Sequence, residues 1–379
     1  MLLFLLMALI AAIVTLALGF VIWRVALKHQ WYPMIRDRDV HTRPTPRLGG
    51  IAMFIGILAA FAVASQIGYF RLVFDDPVPI LAILGASGLI VAMGVIDDIW
   101  DLDWMTKLAG QFIAAGLVAW KGVTILSIPI GEIALFSSNV SLILTIFAIV
   151  LVMNAINFID GLDGLVVGVA LIANGVFFLY TYLLWRDISP SNYFNLASLI
   201  AVVLVGVCVG ILPLNWHPAR MFIGDAGALL IGLLMATGAI AVTGSIDPAN
   251  ISRSQFLPAF IPILLPFAVL IVPVVDFSMA VIRRLRAGKS PFSADRKHLH
   301  HRLLDMGHSH FHAVLIFYAW TAVFSIGCLL FYLVQPNWIA VVFLAVGLLA
   351  CLAITLAPLG RRDRARRLQP APSTPKESS

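Results

Sequence analysis

Eleven apolar stretches, most about 20 residues long, are separated by short polar loops, and they fix what this chain is able to fold into. A helix of that length crosses about 30 Å of hydrocarbon. It also satisfies its own backbone N–H and C=O groups where no water is available to do so. The stretches are Leu2 to Trp23, Leu48 to Phe70, Val78 to Ile96, Leu108 to Trp120, Val140 to Ile156, Leu165 to Trp185, Phe194 to Leu214, Ala226 to Ile246, Phe256 to Val275, Ala313 to Val334 and Trp338 to Leu356. The fourth is short and carries Gln111 near its start, so it is the weakest span. Hydrophobic residues make up 61% of the chain and charged residues 12%, against about 45–50% and about 25% in soluble domains, which excludes a water-soluble globular protein. The expected fold is an all-α polytopic membrane protein of about eleven transmembrane helices. No loop is long enough for a second folded domain. Residues 1–360 are expected to form one transmembrane domain, and residues 361–379, basic and then rich in Pro and Ser, a disordered tail. Met1 to Trp23 lacks a basic leader and a small-residue cleavage site, so it is expected to remain as the first span. Cys208, Cys328 and Cys351 lie far apart inside apolar runs, which excludes a CxxC metal or redox motif.

Basic residues orient the spans. The loops that fall on one side of an eleven-span chain, together with the C-terminal tail, hold 21 of the 25 Lys and Arg; the other side holds Arg71, Lys121, Arg186 and Arg253. Positive charge stays in the cytoplasm, so the N-terminus is expected outside and the C-terminus inside. The net charge of +6 reads as topology and attraction to anionic membrane lipid, not as nucleic-acid binding. All nine histidines and 14 of the 19 acids fall on the same cytoplasmic side. A transporter keeps ionisable groups along a path near the bilayer midplane, whereas here they gather at one membrane face. Any site should face both cytosol and lipid.

Four constellations meet on that face. Asp97, Asp98, Asp101 and Asp103 directly follow the third span, with Lys107 beyond them. Four carboxylates in seven residues repel one another unless a cation neutralises them. Mg²⁺, which takes one or two carboxylates plus substrate phosphate oxygens, fits such a cluster; a solvated acidic loop is the plain alternative. At the end of the fifth span Asn154, Asn157 and Asp160 repeat every three residues, a spacing that aligns them on one helical face. They lead into Asp160-Gly161-Leu162-Asp163-Gly164, where glycines allow tight turns and close approach of backbone to a ligand. Gly224-Asp225-Ala226-Gly227 opens the eighth span, where Asp225 by itself reads most simply as a helix cap. The loop from Ser290 to His312 packs His298, His300 and His301 among Arg296, Lys297 and Arg302. Such charge disfavours Zn²⁺ and suits phosphates and sugar hydroxyls.

In order along the chain, His41-Thr42-Arg43-Pro44-Thr45-Pro46-Arg47-Leu48-Gly49-Gly50, Asp97-Asp98, Asn157 with the DGLDG segment, Gly224-Asp225 and His298-Leu299-His300-His301-Arg302 resemble the motifs of the polyprenyl-phosphate N-acetylhexosamine-1-phosphate transferases (glycosyltransferase family 4). The sequence is most similar to the N-acetylglucosamine-1-phosphate branch, particularly the actinobacterial enzymes. The phospho-MurNAc-pentapeptide branch, the alternative within the family, carries His-His-His where this chain has HLHHR. Ala228 departs from the family pattern, which often places Ser after the glycine of GDxG.

The resemblance implies an enzyme at the cytoplasmic face of a bacterial plasma membrane. A phosphate oxygen of polyprenyl phosphate would attack the sugar-bound phosphorus of a UDP-N-acetylhexosamine, giving a lipid-pyrophosphate sugar and UMP, the first membrane step of a cell-envelope glycan. It also implies Mg²⁺, with Mn²⁺ as a substitute, held by Asp225 and Asn157 with Asp98 nearby. Asp97, Asp98 and Asp225 would then be catalytic, with Asp97 orienting the acceptor or helping to hold metal. Asp160 and Asp163 would fall on the nucleotide side, and His298, His300, His301 and Arg302 on the donor's phosphates and sugar. Arg43 and Arg47 are placed to contact either phosphate, or to serve only as positive-inside anchors. A homodimer is left open. Pro258, Pro262, Pro266 and Pro273 should kink the ninth span. A Mg²⁺-dependent intramembrane prenyltransferase would share the Asp-rich motif but leaves DGLDG and HLHHR without a role.

Overall fold

The computed structural model describes residues 1–32, 45–125, 127–130, 132–135, 137–188, 194–243, 282, 285–286, 288, 303 and 306–368. The ninth apolar stretch, its prolines, Arg43, His298, His300, His301, Arg302 and residues 369–379 lie outside them. Among the described residues the bundle is made of α1 (Leu2–Lys28), α2 (Gly49–Ala64), the four-residue α3 (Arg71–Phe74), α4 (Pro77–Trp100), α5 (Trp104–Trp120), α6 (Ser138–Ile159), α7 (Leu165–Ile188), α8 (Leu196–Asn215), α9 (Gly224–Thr243), α10 (His310–Leu333) and α11 (Trp338–Leu368). Eight of these helices are long and apolar enough to cross a membrane.

Two expected spans take a different form. The second is broken: α2 ends at Ala64, and the chain turns by 96° into Gly68–Phe74 where Ser65, Gln66 and Gly68 interrupt the apolar run. The fourth is α5, with 17 residues, and its Gln111 is buried, accepting a hydrogen bond from Asn154 Nδ2 on α6 at 2.5 Å. A polar pair shared between neighbouring helices keeps Gln111 out of contact with lipid. The loop between α5 and α6 adds a small antiparallel hairpin of β1 (Ser127–Ile130) and β2 (Glu132–Leu135), in register Ser127 to Leu135 and Ile130 to Glu132, which the all-α expectation did not contain. At the other end of the chain α11 stays helical to Leu368, past the expected boundary at residue 360.

Helix α9 is the axis of the bundle: 89% of its span is buried, against 11% for α11. It packs against α2, α4, α6 and α8, while α10 rests on α7 and carries α11 outside it. Between membrane helices lipid offers no hydrophobic contrast, so small residues that let backbones approach set the interfaces. A Cβ on Gly94 of α4 would stand 2.4 Å from the backbone of Ala226, and one on Gly50 of α2 would stand 2.5 Å from Gly227 N. The LGG and GDAG motifs therefore meet as two glycine-lined faces, and this seam brings α2, α4 and the start of α9 together.

Candidate active site

Helix α4 continues beyond the end of its apolar run at Ile96, so Asp97 and Asp98 lie in its last turn instead of in a loop. Asp101 ends the helix in the left-handed region (φ 54°), its N–H donating to Asp97 O at 2.8 Å. Asp103 then caps α5, accepting from Thr106 N at 3.1 Å and from Thr106 Oγ1 at 2.5 Å. These hydrogen bonds hold the exposed Asp103 carboxyl below the usual carboxylate range. Two of the four clustered carboxylates thus build the turn and two face the seam. Asp97 is buried; its Oδ1 accepts from Leu102 N at 2.8 Å and its Oδ2 pairs with Lys107 Nζ at 2.5 Å.

Asp225 faces the same group from the first turn of α9. Its Oδ1 accepts from Asn157 Nδ2 at 3.1 Å, and its Oδ2 lies 3.5 Å from Lys107 Nζ. Asn157 is thereby separated from Asn154, which turns to Gln111 of α5 instead; a three-residue step leaves the two side chains diverging toward different helices. Gly224 adopts φ +67°, and a Cβ there would lie 2.3 Å from Asp98 Oδ2 and 2.5 Å from the Arg47 carbonyl oxygen, so only glycine lets the Asp98 carboxylate lie against this turn. The segment is held by backbone pairing: Phe222 N donates to Pro46 O at 2.9 Å, Gly49 N to Phe222 O at 3.0 Å and Gly50 N to Ile223 O at 3.0 Å. Arg47 is carried to the cluster by that pairing, close enough for its charge to act on Asp98 and Asp160.

Asp160 ends α6. Burial, then the charges of Asp225 and Asp163, push its carboxyl up to about 7 against the opposing pull of Arg47. Asp163 sits one turn of chain away with a different task. Its Oδ2 accepts from Ala219 N at 3.1 Å and pairs with His217 Nδ1 at 2.8 Å. Gly164 (φ +73°) is pinned by N–H donation to Asn215 Oδ1 at 3.2 Å and by the Tyr318 hydroxyl on its carbonyl at 2.5 Å, while Asn215 Nδ2 donates to Met221 O at 3.1 Å. The His217 and His310 rings lie parallel, 6.3 Å apart, along a cleft that also includes Asp163, Trp216 and Phe311.

Of the residues singled out in the sequence, the structure brings together Arg47, Asp97, Asp98, Asn157, Asp160 and Asp225, with Asp163 beside them. Three others, to which the sequence reading gave no role, join them. Lys107 bridges two carboxylates, while His217 and Asn215 anchor the DGLDG turn. The signal for the last two was a short Asn-Trp-His stretch between two long apolar runs; the signal for Lys107 was an ionisable residue four places before Gln111 at the head of a span. Ala228, where a hydroxyl was expected, is fully buried.

Among the described residues no three His, Cys, Asp or Glu side chains form a ready-made metal cage. The donor set nevertheless fits a hard divalent ion that shares its coordination with substrate. Asp98 Oδ2 is buried without a hydrogen-bond partner. Asp97 and Asp98 sit at a helix C-terminus, the end that disfavours negative charge. The groups offered are oxygens, as Mg²⁺ requires, and too few to complete its shell without water or phosphate.

Residues 80–243, which run from α4 to α9 and hold every one of these carboxylates, match glycosyl transferase family 4. A decaprenyl-phosphate N-acetylglucosaminephosphotransferase of Mycolicibacterium smegmatis is 41% identical over 335 residues, covering 87% of this chain and 82% of the relative. The chain belongs to glycosyl transferase family 4. Within that family, the relative of the same description from Mycobacterium leprae is 40% identical over 338 residues, 88% of this chain and 84% of its own. An undecaprenyl-phosphate α-N-acetylglucosaminyl 1-phosphate transferase of Escherichia coli K12 is 29% identical over 320 residues, 82% and 79% of the two chains. In this family member the DGLDG and GDAG motifs prove to be two sides of one site: the first closes α6 and the second opens α9, joined by Asn157 and Asp225.

Proposed function

We propose that this protein transfers N-acetylglucosamine 1-phosphate from its UDP-sugar to polyprenyl phosphate at the cytoplasmic face of a bacterial plasma membrane. The observation that carries the reading is the convergence of Asp97, Asp98, Asn157, Asp160 and Asp225 at one end of the bundle, in a chain similar over most of its length to named polyprenyl-phosphate N-acetylglucosamine-phosphate transferases. In the reaction an acceptor phosphate oxygen forms a bond to the sugar-bound phosphorus. The bond from that phosphorus to the bridging oxygen breaks, and the oxygen leaves with UMP. The acceptor phosphate has a second pKa of about 6, so it is mostly dianionic at neutral pH and needs little help from a base.

The work left to the protein is positioning and charge neutralisation. Asp225 and Asn157, with Asp98, would hold Mg²⁺, which supplies positive charge to the reacting phosphates. Asp97, fixed by Leu102 N, keeps Lys107 at the cluster. Asp163, His217, Asn215 and Tyr318 set the DGLDG turn, whose glycines let the nucleotide part of the donor approach the backbone. Arg47 is positioned for a phosphate. The 21-to-4 partition of basic residues supports an outside N-terminus and a cytoplasmic C-terminus.

Membranes containing the protein, supplied with polyprenyl phosphate and UDP-[¹⁴C]GlcNAc, should yield a labelled lipid and UMP in equal amounts. UDP-GalNAc and UDP-MurNAc-pentapeptide offered in parallel should be poor donors. Label transfer without UMP, or no lipid product from any donor, would reject the reading.

A further inference from the structure

Lys107 reaches from α5 into the seam between α4 and α9, and its Nζ lies 2.5 Å from Asp97 Oδ2 and 3.5 Å from Asp225 Oδ2. Both carboxyl groups therefore face one ammonium, whose charge offsets the repulsion between like charges held at close quarters. The cation the structure places there is the Lys107 ammonium. We propose that Lys107 is a built-in place-holder for the divalent ion: it withholds Asp97 and Asp225 from the metal until a ligand phosphate draws its ammonium away, which makes metal and phosphate bind cooperatively. The proposal rests on the reading of the cluster as a divalent-cation site, and it assigns that site an order of events.

Three features support a place-holder over a permanent salt bridge. The contact is lopsided, close on Asp97 and loose on Asp225, so Asp225 is released at small displacement. The Lys107 side chain is 28% exposed and its ammonium rides on a flexible four-carbon stem, so it is able to swing toward a phosphate at the mouth. The carboxylates do not depend on Lys107 for their positions, since Leu102 N holds Asp97 and Asn157 Nδ2 holds Asp225. A divalent ion bonded to carboxylate oxygen at about 2.0–2.1 Å and an ammonium against the same carboxylates repel each other and compete for the same negative charge. Removing the competitor must strengthen metal binding, and reciprocity requires metal to strengthen phosphate binding by the same factor.

The test is Mn²⁺ binding followed by electron paramagnetic resonance on purified protein, without ligand, with farnesyl phosphate and with UMP. Couplings between sites are typically about 5- to 150-fold. Wild-type protein should bind Mn²⁺ about tenfold more tightly or better when the effective phosphate is present, and comparing the two ligands assigns the effect to the lipid or the nucleotide phosphate. Lys107→Met and Lys107→Gln should bind Mn²⁺ about tenfold more tightly without ligand, with the ligand effect reduced to about twofold or less; Lys107→Arg should keep the wild-type coupling. If both neutral variants match wild type in Mn²⁺ affinity, or if coupling survives in them, Lys107 is not a place-holder although the cation site stands. If no variant binds Mn²⁺ in any arm, the cation site falls and the place-holder with it.

Discussion

Gly94→Ala adds one methyl group at the place where the fold has least room for it, and its consequences follow from the seam between α4 and α9. The new Cβ would lie 2.4 Å from both Cα and N of Ala226 and 2.9 Å from its Cβ, whereas carbon atoms rest at about 3.5–4.0 Å. Both obstructing groups are helix backbone, so no rotamer change relieves them, and the helices must part or rotate by about 1 Å to restore ordinary contact. Overpacking of this kind costs about 1–3 kcal/mol in stability. The effect on chemistry should be larger, because Ala226 adjoins Asp225 and Gly94 lies one turn before Asp97 and Asp98. A displacement of about 1 Å between groups that must act on one phosphorus costs on the order of 100-fold in rate, equivalent to about 2.7 kcal/mol of barrier. The assay is transferase turnover beside thermal denaturation of the same purified protein. Gly85→Ala is the control: on the same helix, its Cβ would find only Leu117 Cδ2, at 3.7 Å, and the substitution should leave turnover intact while adding about 0.4–1 kcal/mol of stability. Wild-type turnover in Gly94→Ala, or an equal loss in Gly85→Ala, would refute the claim that the α4–α9 spacing sets the geometry of the carboxylates.

Asp98→Asn and Asp225→Asn should each lower turnover by about 100-fold or more, the scale of losing one charge-stabilising group at a transition state, whereas Asp103→Ala should lose only its cap, about 1 kcal/mol of stability, with turnover within a few-fold of wild type. Asp160 carries the pH prediction. Its folded value of about 7 stands above the ordinary aspartate value of about 3.9, so the folded state binds the extra proton, and stability falls as pH rises between those values and levels off above about 7. Cation-free protein should therefore melt lower at pH 7.5 than at pH 5.5, by at most about 2 kcal/mol from this group, and Asp160→Asn should flatten that part of the profile; an unchanged profile would remove the raised value. For topology, a cysteine at Ser138 should react with an impermeant thiol reagent on intact cells and one at Met105 should not, and the reverse pattern would invert the assigned sidedness.

Most of the bundle was legible because its signal is summed over about 20 residues at a time, and errors came where single residues override that sum. The apolar run of the third span stops at Ile96, yet α4 holds its helix to Trp100, because no Gly or Pro intervenes and the left-handed Asp101 is the first break. Hydropathy placed Asp97 and Asp98 in a loop; backbone hydrogen bonding places them in a helix. The second span reads as one run from Leu48 to Phe70, and its Ser65-Gln66 step with Gly68 just beyond is what betrays the 96° turn. Gln111 counted against the fourth span because its partner, Asn154, lies 43 positions away and is invisible to any local window.

At the site the residue types were legible and their division of labour was not. Counting carboxylates cannot separate Asp98, whose Oδ2 is buried against Gly224, from Asp103, which caps a helix in water. A three-residue repeat groups Asn154 with Asn157, although one serves the α5–α6 interface and the other holds Asp225. Asp225 itself read most simply as a cap, and the fold gives it the opposite character: it stands at the positive end of α9 but spends its oxygens on Asn157 and Lys107 from two other helices. Charge is what ties these assignments together. The cluster places Asp97, Asp98 and Asp160 at helix C-termini, where the backbone disfavours them, and answers them with Lys107, Arg47 and the N-terminus of α9. A stable fold would discard such an arrangement unless the shortfall in positive charge served something, and the proposed reaction gives it a use: a divalent ion would supply the missing charge and bring the reacting phosphates with it.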